Sequence, residues 1–61
     1  MANLTTKELG ALEDQLTFEK VMCCKYRDAM QQCSDQELKS CYQQYAGQHR
    51  ENYESLLKFL K

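Results

Sequence analysis

Apolar side chains recur along this chain at alternating steps of three and four. Leu9, Leu12, Leu16, Cys23, Tyr26, Met30 and Cys33 form one such series, with Glu19 in the single slot left over. Leu38, Tyr42, Tyr45, Leu56 and Phe59 form a second, with His49 and Asn52 completing it. That spacing keeps side chains on one face of an α-helix and is the seam pattern of packed helices. Good helix formers fill both segments, and the only interior residue with poor propensity in the second is Gly47. The pattern predicts two helices, over residues 6–32 and 35–60, each roughly 40 Å long.

The series breaks at the segment Cys33–Glu37. Ser34 followed by Glu37 reads as a capping box with Ser34 as N-cap, and Asp35 then favours the positive end of the second helix. Thr5 and Glu8 offer the same arrangement at the start of the first helix. A break this short between long helices makes an antiparallel hairpin. Its register follows from counting outward from the turn. Met30 meets Leu38, Tyr26 meets Tyr42, Cys23 meets Tyr45, Leu16 meets Asn52, Leu12 meets Leu56 and Leu9 meets Phe59. The same count sets Glu19 opposite His49, so the charged residue in the apolar slot faces the only histidine of the chain.

A hairpin does not use all the apolar surface. At ~100° per residue the apolar arc of the first helix also takes in Ala11, Phe18, Met22 and Ala29. That of the second runs on to Tyr53, Ala46 and Leu57. Arcs covering roughly half a helix belong to bundles of three or more helices. The expectation is therefore a two-fold dimer of hairpins closing into a four-helix bundle.

Length and charge narrow the class. With 61 residues the chain is one domain, 1–61, and too short to bury a large core unaided. Net charge is −1, which gives no general attraction to nucleic acid or anionic membranes. No apolar run approaches the roughly 20 residues of a membrane helix. The N-terminal stretch lacks the basic start and apolar core of a secretory signal, so a cytoplasmic protein with reduced thiols is expected.

Candidate chemistry is sparse. Two copies of Glu19 and His49 near a bundle centre would supply carboxylate oxygen and imidazole nitrogen, donors that suit Zn, Fe or Mn. A complete two-metal bundle site also needs a Glu three residues before each His, and here that position is Ala46. The plainer expectation is a buried polar layer in which Gln15 and Asn52 join the Glu19–His49 pair. The cysteines show no C-x2-C spacing, which excludes a zinc ribbon or a thioredoxin-type motif. Cys23 and Cys33 fall on the inward stripe, Cys24 on the outward face and Cys41 at the rim, so Cys24 and Cys41 are the candidate cross-linking thiols. The tyrosines, Tyr26, Tyr42, Tyr45 and Tyr53, fall on inward or flanking positions and read as core.

The opening LTTKELGALEDQL, the turn QQCSDQELKS and the histidine-bearing YAGQHRENYESLLKFL together resemble the spore coat F-like proteins of spore-forming bacteria, over nearly the whole chain. The resemblance implies a ferritin-like bundle with a Glu on one helix and a His on the next, here Glu19 and His49. It also implies a component of the spore coat, or a small protein of the sporulating cell. Three functional expectations result. The leading one is a non-enzymatic structural or assembly protein that associates with itself and with other coat proteins. The others are a metal-binding bundle built on Glu19 and His49, and an adaptor whose wide apolar face docks another helical protein.

Overall fold

A computed structural model describes residues 3–60. Helix α1 spans Thr6–Gln32 and helix α2 spans Gln36–Leu57, continued by a single 3-10 turn over Lys58–Leu60. The two helices pack side by side as a hairpin 46 Å long and 16 by 11 Å across. No strand occurs among the described residues.

The helix ends follow local chemistry. Thr5 and Glu8 form a reciprocal capping box: the Glu8 amide donates to the Thr5 hydroxyl at 3.1 Å and the Thr5 amide to the Glu8 carboxylate at 3.0 Å. The second cap departs from the expected one. Asp35, not Ser34, is the N-cap of α2, accepting the Leu38 amide at 2.9 Å. Both residue types cap well, but the aspartate also places a negative charge at the positive helix end. Cys33 closes α1 in an extended conformation, and its thiol donates to the Asp35 carbonyl at 3.4 Å. At the far end Lys58 turns its amide toward Ser55 and Leu56, tightening the last turn to 3-10 geometry. The helical period therefore reaches residue 60, as the pattern indicated, but α-geometry stops at Leu57.

The interior is small. Among the described residues the buried ones are Leu16, Ala46 and Glu19. Most of the predicted stripe is only half-buried, including Leu12, Cys23, Tyr26, Met30, Tyr42 and Leu56. Leu9, Leu38, Tyr45 and Phe59, expected to face inward, are exposed. Tyr45 gives way to its neighbour Ala46, whose small side chain lets α1 approach closely, while the bulk of a tyrosine would hold the helices apart. Two helices offer each other only a narrow line of contact, and the rest of a wide arc stays wet.

Candidate functional site

The register read from the sequence brings Glu19 and His49 together. Counting back from the turn, each lies near the middle of its helix, on the seam. The Nδ1–H of His49 donates to Glu19 Oε1 at 2.5 Å. Asn52, one turn further along α2, donates to the same oxygen at 3.3 Å. Gln15, one turn earlier on α1, donates to Oε2 at 2.8 Å. Gln48 extends the network by donating to the Asn52 side-chain carbonyl at 2.9 Å. Glu19 is 5 % exposed, and each of its carboxylate oxygens has a donor. Among the described residues, no buried side-chain polar atom lacks a partner.

This network sets the protonation of Glu19. The hydrogen bond from His49 holds its carboxyl below the ordinary 4.5. Burial pushes the other way, while Gln15, Asn52 and the charge of a protonated His49 add to the lowering.

Aromatic rings enclose the imidazole. Tyr26 stacks on it with ring centres 5.8 Å apart and planes 8° from parallel. Phe18 meets it edge-on at 6.0 Å and 83°. Tyr26 also packs on Tyr42 at 5.8 Å and against Tyr45 at 5.4 Å. Glu19 and His49 were legible as a pair, and Gln15 and Asn52 as their neighbours. Gln48 and the two rings flanking His49 were not foreseen. Phe18 lies one residue before Glu19 and Tyr26 one helical heptad after it, spacings that carried the signal for Tyr26 but not for the off-stripe Phe18.

The expected metal site takes Glu19 and His49 from each of two hairpins, and one hairpin supplies half of it. Among the described residues of one hairpin, no group of three or more His, Cys, Asp or Glu side chains converges. Glu19 and His49 contribute two donors, and the carboxylate already accepts three hydrogen bonds. The Ala46 that replaces the next expected ligand is buried beside the seam.

The thiols lie as the wheel placed them: Cys24 and Cys41 exposed, Cys23 and Cys33 half-buried, all four free. A groove on one flank is lined by Cys23, Arg27, Met30, Gln43, Ala46, Gly47 and Arg50. No described helix is long and apolar enough to cross a membrane. No family model, curated protein or solved structure matches the chain.

Proposed function

We propose that this chain is a non-enzymatic assembly module in which two hairpins close into a four-helix bundle. The observation that carries this reading is the surface the hairpin leaves uncovered. A compact monomer of 7.2 kDa has an accessible area of about 4100 Å². The hairpin exposes 4986 Å². The difference, about 900 Å², is close to the ~800 Å² that each partner of a standard interface buries. Phe18, Val21, Tyr45 and Phe59 are each at least half exposed, which is where the uncovered apolar area lies.

The polar layer fits an assembly role better than a reactive one. A buried, fully bonded carboxylate fixes how helices align and disfavours other registers, at some cost in stability. The resemblance to spore coat F-like proteins supplies a setting, a component of a protein shell built by self-association. Exposed Cys24 and Cys41 suit such a shell, because they are accessible to oxidative joining of neighbouring bundles.

The test is the molar mass of the purified chain by light scattering across concentration. A dimer at micromolar concentration supports the module. A monomer throughout would refute it.

A further inference from the structure

The hairpin has two long flanks, and they differ in chemistry. One carries the groove beside Arg27 and Arg50. At ~100° per residue, Phe18 lies on the opposite side of the Glu19 line from Cys23 and Arg27. Tyr45 and Asn52 likewise lie on the opposite side of the His49 line from Ala46 and Arg50. This second flank holds three aromatic rings in the open: Phe18 is 50 % exposed, Tyr45 52 % and Phe59 53 %. The centres of homodimer interfaces are rich in aromatic residues, which favours the flank that holds three open rings.

Position along the helices then fixes an orientation. Asp14 and Lys25 are exposed on the outer edge of α1. Among the described residues neither has an ion-pair partner within the chain. The midpoint between them falls between Glu19 and Lys20. On α2 the exposed pair Leu38 and Phe59 lie near opposite ends of the hairpin. Their midpoint falls between Gln48 and His49. Glu19 and His49 are bonded to each other across the hairpin, so both midpoints mark one height. A two-fold axis perpendicular to the helices at that height sets helix against like helix, running in opposite directions. It brings Lys25 level with the partner's Asp14, and Leu38 level with the partner's Phe59.

We propose that a second copy of this chain docks on the Phe18–Tyr45–Phe59 flank in this antiparallel two-fold orientation, with Lys25 and Asp14 paired twice across the interface. The proposal rests on the self-association reading and adds to it the face, the axis and the ion pairs. With the hairpin turns at the same end instead, Lys25 would lie level with the partner's uncharged Gln44.

Sedimentation equilibrium on the full chain separates the cases, with circular dichroism confirming that each variant stays helical. Phe18→Glu should raise the dimer dissociation constant by more than tenfold. Lys25→Glu and Asp14→Lys should each raise it about tenfold at low salt, because each sets two like-charge pairs face to face, and the effect should shrink as salt rises. The double variant, carrying both reversals, should return close to wild type. A wild-type monomer removes the self-association reading and this proposal with it. A wild-type dimer that ignores Phe18→Glu overturns the face alone. A dimer sensitive to Phe18→Glu, in which the double variant is no better than the singles, overturns the orientation and leaves self-association standing.

Discussion

At the scale of single residues the protein turns on Glu19, the charged side chain with the least exposure among those described. Its carboxylate is stable in the seam because His49, Asn52 and Gln15 replace the water it loses. Removing it leaves those donors facing an apolar gap. Glu19→Ala should cost about 3 kcal/mol in a urea titration, the range seen when one partner of a buried pair is deleted. Replacing both members, as in Glu19→Leu with His49→Leu, should be close to neutral, because neither half is then left unpaired. The two experiments separate a pair that stabilises from one that specifies alignment. Acid provides a second handle. The folded carboxyl titrates below 4.5, so folding favours its ionised form. The stability it contributes is full above pH 4.5 and disappears as pH falls through the lower, folded value. In Glu19→Gln that contribution is absent at every pH. The gap in melting temperature between wild type and Glu19→Gln should therefore narrow below about pH 4.5. A gap unchanged down to pH 2 would mean that the carboxylate is not held in its charged form by the seam.

At the scale of elements, each helix is written into the chain by spacing, and its ends by caps. Asp35→Ala should cost about 1 kcal/mol, whereas Ser34→Ala should change stability by only a few tenths, since the Leu38 amide bonds to Asp35. Equal losses from both would restore Ser34 as a cap. Gly47 lies inside α2, and a methyl group added there meets nothing within 4 Å. Gly47→Ala should therefore stabilise the hairpin by about 0.5–1 kcal/mol, the difference in helix propensity. A loss on thermal melting would show that a partner chain packs on the groove flank. These outcomes also mark how far the sequence could be read. The helices, their register and the polar layer follow from three-four spacing and from the scarcity of buried-type polar residues, because one Glu and one His fell at matching heights. The choice between Ser34 and Asp35 did not follow, since two good caps stand side by side and only backbone geometry selects one. Nor did the burial of Ala46 and exposure of Tyr45. The wheel treats both as near the seam, and it is the closeness of approach between the helix axes that decides in favour of the smaller side chain.

At the scale of the whole molecule, two helices of this length cannot be both a hairpin and a finished globule. Leu16 and Ala46 are the buried apolar side chains among the described residues, while Leu9, Phe18, Val21, Leu38, Tyr45, Phe59 and Leu60 remain exposed. Most helical stability in proteins comes from packing of the apolar face, and here half of that face has nothing against it. If a second hairpin covers it, folding and association are one equilibrium, and stability depends on concentration. For two chains of this length, average unfolding enthalpies imply a rise in melting temperature of about 6 °C for each tenfold increase in protein. An isolated hairpin would melt at the same temperature whatever its concentration, and with a broad transition. Thermal melts by circular dichroism over a hundredfold range of concentration read the difference directly. A sharp, concentration-independent transition would require the single hairpin to be stable alone, and the exposed aromatic flank would then need some other occupant. The same series run on Phe18→Glu connects this scale to the residue scale. That substitution removes a half-exposed ring that packs edge-on against His49, so an isolated hairpin should lose only the modest worth of that one contact, equally at every concentration. Within a bundle it sets a charge at the interface, and the melting temperature should fall at every concentration while the slope with concentration persists.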